Sequence, residues 1–269
     1  MSRKIVKLPT IQNVVAGGTS VINLKLGLTY DKIEVRYSGA TSDQIKNIKL
    51  MLNGREVQYF ESAKQLDAIN KYYNRNIEAG RFVIWFVRPE MTEVVEQRVT
   101  ALGTADLVTA TLEFDIDSSV DTTKLKACAY AVQSDASNAG MITKVKRFPV
   151  TFAVGGVQDI ADIPKPNTAM IAAIHLFTQV AGNIKQIAVE VDSVNAIDQV
   201  DVDVLAENQK DRGRVPDSNE CVVCDWMLEG ELSEAMQLNV QDFRLKPEIA
   251  NAGGVVMMIE YIDVALGGI

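Results

Sequence analysis

The sequence predicts an all-β protein with few short helices, divided into two consecutive domains. Short runs of alternating polar and apolar residues, separated by turn residues, recur along almost the whole chain. The length of 269 residues exceeds the ~100–200 that one domain usually holds. A single stretch rich in Gly and Pro, "GGVQDIADIPKPN" at 155–167, interrupts the pattern. A parallel α/β sheet would need a helix between successive strands, and helical patterns are few here.

In chain order, "TSVINLKLGL" alternates, and "DKIEVRYSG" places Ile33, Val35 and Tyr37 on one face and Lys32, Glu34 and Arg36 on the other. In "IKNIKLMLNGREVQYF" two alternating runs flank Asn53-Gly54, a pair suited to a tight hairpin because both turn positions need positive φ. "SAKQLDAINKYYN" predicts a helix: Ser62 and Gln65 have capping-box spacing, and Leu66, Ile69 and Tyr73 recur on one face. A second helix is expected in "PEMTEVVEQRVTALG", from Pro89 to Gly103, with Met91, Val95, Val99 and Leu102 along a stripe. "RFVIWFV", "DLVTATLEFDID", "LKACAYAVQ" and "KRFPVTFAVGG" read as the remaining strands of the first half. The second half supplies "TAMIAAIHLFTQV", "IKQIAVEVDSV", "QVDVDVLAE", "ECVVCDWML", "MQLNVQDFRL" and "GGVVMMIEYIDVAL". Prolines cannot donate to a ladder, so 155–167 is expected to link domains at 1–154 and 168–269. Each has enough candidate strands for one jelly-roll sandwich.

Composition narrows the function. With 47% hydrophobic and 23% charged residues the chain is globular rather than disordered. A net charge of −8 argues against direct nucleic-acid binding, which draws its affinity from clustered Lys and Arg. The basic runs "MSRKIVK" and "KVKR" are short, and no apolar stretch of signal-peptide length follows the first. Synthesis and retention in the cytoplasm are therefore expected.

Cys221 and Cys224 form a C-x-x-C, and with Cys128 and His175 the chain holds a nominal Cys3His set. Geometry argues against a metal or redox role. The two central valines of "ECVVCDW" favour a strand, in which the cysteines point to opposite faces with Cα atoms ~10 Å apart. A disulfide tolerates ~4.4–6.8 Å. Cys224 is expected inside beside Trp226 and Cys221 near the surface. His175 lies in a strand apolar on both faces and reads as a satisfied core or interface residue. No nucleophile elbow, P-loop or dinucleotide fingerprint occurs, so no catalytic residue is assigned.

Rows of carboxylates remain. Glu113, Asp115 and Asp117 share one face of "LEFDID"; Glu190 and Asp192 recur in "VEVD", and Asp201 and Asp203 in "VDVDV". Most such rows are the solvated face of a half-buried sheet. Like charges ~7 Å apart at a subunit contact would gain from a hard cation, so these seven residues are candidate calcium ligands. No cofactor is otherwise required.

The phrases "LPTIQNVVAGGTSVINLKLGLTYDKIEVRYSG", "NIKLMLNGREVQ", "LDAINKYYN", "FVRPEM" and "LGTADLVTATLEFDID" resemble the major capsid proteins of corticoviruses and related tailless marine phages. The resemblance is distinctive over residues 8 to 155 and vaguer beyond 165, and it carries no catalytic motif. It implies two tandem eight-stranded jelly-roll barrels and a homotrimer that forms a pseudo-hexagonal capsomer. Neighbouring capsomers would tile an icosahedral shell around an internal lipid membrane, with receptor binding left to a separate vertex protein. The protein would be made in a bacterial host's cytoplasm and reside in the virion. Subunit contacts are expected in the two strands apolar on both faces, "AMIAAIHLF" and "GVVMMIEYI". The alternative is a carbohydrate-binding or glycan-processing β-sandwich protein, which 6% aromatic residues and two Trp disfavour.

Overall fold

A computed structural model describes residues 3–268, in two compact units. The first comprises residues 3–71, 75–146 and 264–267; the second comprises 72–74, 147–263 and 268. The elements of the first half are β1 (Lys4–Lys7), β2 (Thr19–Asn23), β3 (Thr29–Ser38), β4 (Ile45–Leu52), β5 (Arg55–Ser62), α1 (Ala63–Tyr72), β6 (Arg81–Trp85), α2 (Val94–Val99), β7 (Leu102–Gly103), β8 (Ala110–Ile116), β9 (Lys126–Ser134) and β10 (Met141–Phe152). Those of the second half are β11 (Gly156–Val157), β12 (Met170–Thr178), β13 (Ile184–Val191), β14 (Val194–Asp201), α3 (Val202–Asp211), β15 (Cys221–Asp225), β16 (Met236–Gln237), β17 (Phe243–Ile249) and β18 (Gly253–Val264).

In the first unit, β1-β9-β3-β6 form one sheet and β5-β4-β8-β2 the other. Alternation built both. Ile33, Val35 and Tyr37 of β3 are buried, as are Leu112, Phe114 and Ile116 of β8. Phe82 and Phe114 meet edge to face at 5.6 Å. The β4–β5 hairpin turns at Asn53 (φ 49°) and Gly54 (φ 75°), the left-handed pair the sequence foretold. Helix α1 starts where Ser62 Oγ accepts the Gln65 N–H, while the Gln65 side chain accepts from the Glu61 N–H, one residue earlier than in a standard capping box.

In the second unit, β15-β12-β18 make one sheet and β11-β17-β13-β14 the other. Ile174, Leu176, Val222, Cys224, Met257 and Ile259 from the first sheet pack with Ile187, Val189, Phe243 and Leu245 from the second. The hydrophobic effect places the core where the inner faces of two sheets meet.

Three expectations are corrected. The second helix is short, Val94–Val99, and does not begin at Pro89; Val95 is 77% exposed and Leu102 lies in β7, so the expected stripe never forms one face. "VDVDVLAE" is not a strand beyond Asp201: α3 takes over, burying Ala206 and Gln209 and packing Val202 and Leu205 on the core. Residues 155–167 are not a linker but part of the second unit. Gly156 and Val157 pair with β17, Ile160 bridges to Leu245, and Ile160 and Ile163 enter the core. The units divide at Lys146/Arg147 instead, inside β10.

Candidate assembly surfaces

β15 is extended, so Cys221 and Cys224 point to opposite faces and both are free thiols. Cys224 lies in the core, where Trp226 packs beside it, and burial pushes its thiol up to about 12. Cys221 is also buried, against the expectation that it faces outward, and burial, then Glu220, raises its thiol well above the ordinary range. The cause is that the second face of β15 is covered within its own unit. Gln209 of α3 donates to the Val223 carbonyl, and Arg214 donates through Nε to Asp225 (2.9 Å) and through Nη2 to the Met227 carbonyl.

The same cover explains β12 and β18. His175 is fully buried, its Nε2 2.8 Å from Glu260 Oε1, with the rings of Tyr72 and Tyr73 edge-on at 5.7 and 6.1 Å. Tyr72 Oη donates to Asp225, and burial, reinforced by that carboxylate, raises the phenol well above its usual range. The strands apolar on both faces are therefore buried inside a single chain, not at subunit contacts as expected.

The first carboxylate row keeps its alternation, and the other two pairs separate. Glu113 and Asp115 lie on β8 and Asp117 follows it. Thr111 Oγ1 donates to Glu113, and Thr19 Oγ1 and Asn47 Nδ2 donate to Asp115 at 2.6 and 2.8 Å. Lys46 and the Ser119 N–H and hydroxyl hold Asp117 well below the usual carboxylate range. Glu190, on β13, is ion-paired with Lys246. Asp192 is not beside it on a strand face: it sits at φ 47° in the β13–β14 turn and accepts the N–H groups of Gln241 and Asp242. Nor do Asp201 and Asp203 share a strand: Asp201 ends β14 and accepts from Gln186, and Asp203 lies in the first turn of α3. Among the described residues no three His, Cys, Asp or Glu side chains stand together as a group that could hold a metal.

The surfaces free to meet a neighbour differ between units. Directly paired residues of antiparallel strands project to the same side, so the outer face of β1-β9-β3-β6 can be read from its register. Its apolar members are Ile5, Tyr130, Val132, Trp85 and the buried Val83, with Ile5 81% exposed. Its charges in register are Lys7, Lys32, Arg36, Arg81 and Lys126 against Glu34, which Arg36 and Arg81 already neutralise, and at its edge Asp31 is paired with Arg3 and Arg98. Lys32 lies 4.5 Å over the Trp85 ring. Two shallow clefts of about 230 and 280 Å³ open here, one beside Trp85 and one beside Cys128. On the second unit the corresponding outer face is polar and internally paired, Arg244 with Asp159 and Asp242, and Lys246 with Glu190.

Two jelly rolls in one chain, with surfaces rather than a catalytic constellation as the feature to explain, define a double jelly-roll coat protein. The family model "Viral coat protein P2 N-terminal domain" matches residues 5–134 and "Viral coat protein P2 C-terminal domain" matches 142–265. The chain belongs to the P2 family of viral coat proteins, and it is a major capsid protein of the virion shell, where it assembles with neighbouring subunits. It is 33% identical to major capsid protein P2 of Pseudoalteromonas phage PM2, over 97% of each chain. The crystal structure of that phage's P2 superposes with a TM-score of 0.93, at 32% identity and full coverage of both chains. The fold extends to the capsid protein of Sulfolobus Turreted Icosahedral Virus (TM-score 0.72, 11% identity, 98% and 92% coverage) and to the PBCV-1 capsid (0.64, 9%, 99% and 95%).

Proposed function

We propose that the chain acts as a homotrimer, a pseudo-hexagonal capsomer tiling an icosahedral shell around an internal lipid membrane, with a separate vertex protein. The observation that supports this is the doubling of one architecture: each chain carries two jelly rolls, so three copies offer six barrels to six neighbours. A threefold ring closes through heterologous contacts, in which one patch of a subunit meets a different patch of the next. The acidic balance of −8 suits a coat that does not hold nucleic acid itself.

Multi-angle scattering tests the trimer. Three copies of the 29.5 kDa chain give a species of about 89 kDa, and a stable monomer, with or without millimolar calcium, overturns the reading. The calcium arm matters because Asp201 and Asp203 carry no cationic partner among the described residues. Electron microscopy of assembled particles, before and after detergent, tests for the membrane and the vertex protein.

A further inference from the structure

We propose that the outer face of the β1-β9-β3-β6 sheet docks against the acidic face of α3 on the neighbouring copy. This deepens the trimer reading and rests on it, because a ring of two-barrel chains closes where the first unit of one copy meets the second unit of the next.

Charge complementarity carries the assignment. The strand residues in register on the first unit's sheet face carry five cations to one carboxylate, and Asp31 at its edge is paired with Arg3 and Arg98, in a chain whose net charge is −8. Lys7 and Lys126 are exposed on it without a carboxylate partner among the described residues. Helix α3 presents the opposite sign: Asp203, Glu207 and Asp211 recur at i, i+4 and i+8, all exposed, with Lys210 the one cation beside them. Like charges at that spacing destabilise an isolated helix, and cations from a partner remove the repulsion.

Apolar surface matches as well. Val204 on α3 is 55% exposed and Val194 on the adjoining strand 68%; opposite them would stand Ile5, Tyr130, Val132 and Trp85. The strand β14 is an edge strand with most of its residues exposed, a form that natural sheets keep covered or charged. Half-exposed aromatics beside Lys and Arg form the core and rim pattern of a protein contact.

The test is a charge swap read by multi-angle scattering in the presence of EDTA, so that no added cation stands in for the lysines. The pair Lys7→Glu with Lys126→Glu is expected to lower the mass threefold to monomer, and Glu207→Lys with Asp211→Lys to do the same. The four substitutions together are expected to restore the trimer, which misfolding would not do. Cys128, on the same face between Arg36 and Lys126, gives a second reading: its alkylation by a maleimide should slow at least tenfold in the trimer. Charge variants that remain trimeric overturn this docking while leaving the trimer standing; a wild type that is monomeric in millimolar calcium as well as in EDTA overturns both. Loss of binding to anionic phospholipid vesicles in Lys7→Glu/Lys126→Glu, with the trimer intact, reassigns the face to a membrane and also overturns it.

Discussion

His175 and Glu260 form a hydrogen-bonded pair sealed inside the second unit, 2.8 Å apart with side chains 0% and 5% exposed. Register explains how they meet: on β12 and β18, Ala173 lies opposite Glu260 and His175 opposite Met258, so histidine and glutamate are diagonal neighbours on one face. Removing one member leaves the other buried with fewer partners. His175→Phe is expected to cost about 2–4 kcal/mol, and the double variant His175→Phe/Glu260→Leu to recover much of it. Denaturant titration of both variants checks this; a loss below 1 kcal/mol for the single variant contradicts it.

Asp67 on α1 gives a pH dependence. Burial raises its carboxyl to about 7, with Arg81 pulling the other way. A raised acid holds its proton more tightly when folded than when unfolded. Its stabilisation is therefore full below the unfolded value of 3.8 and is lost as pH rises through about 7. Asp67→Asn should gain on the order of 1–2 kcal/mol at pH 8, after allowing for solvent screening, and nothing at pH 4. Calorimetry at the two pH values measures the difference; equal shifts at both contradict the assignment.

The three thiols should separate cleanly. Cys128 is partly exposed, whereas Cys221 and Cys224 are buried in a strand covered on both faces. A chromogenic disulfide reagent is expected to titrate one thiol per monomer in native buffer and three in guanidinium chloride. Rapid reaction of a second native thiol would mean that β15 opens far below the global unfolding free energy.

Two glycines distinguish conformation from close approach. A Cβ at Gly54 would meet nothing within 4 Å, so Gly54→Ala costs only the strain of φ 75°, about 1 kcal/mol. A Cβ at Gly103 would lie 2.1 Å from the Asn138 carbonyl oxygen, and Gly103→Ala is expected to cost on the order of 3 kcal/mol as the backbone shifts. With ~2–4 °C of Tm per kcal/mol for a chain of this size, thermal melts resolve the two, and a reversed order refutes the argument.

Local chemistry made much of the fold legible. Ile33, Val35 and Tyr37 announced a buried face because a strand repeats every two residues, and Asn53-Gly54 announced a turn because few other pairs accept two positive φ values. The β13–β14 turn was hidden because Asp192 and Ser193 adopt positive φ without a glycine. Helix α3 was hidden because "VDVDV" alternates up to the point where Val202, Leu205, Ala206 and Gln209 change to a helical period.

The sequence by itself determined the alternation, the major strands, the hairpin at 53–54 and the resemblance that identified a coat protein. Tertiary structure decided what covers each face. Cys221 and Val223 became interior because α3 and the segment containing Arg214 lie over β15, and residues 155–167 joined a sheet because β17 offered unpaired backbone groups. The Glu190/Asp192 and Asp201/Asp203 pairs separated because a turn and a helix take over where the alternation ends. A residue's face is set by its own strand, whereas its neighbour is set by loop closure and packing between segments far apart in the chain.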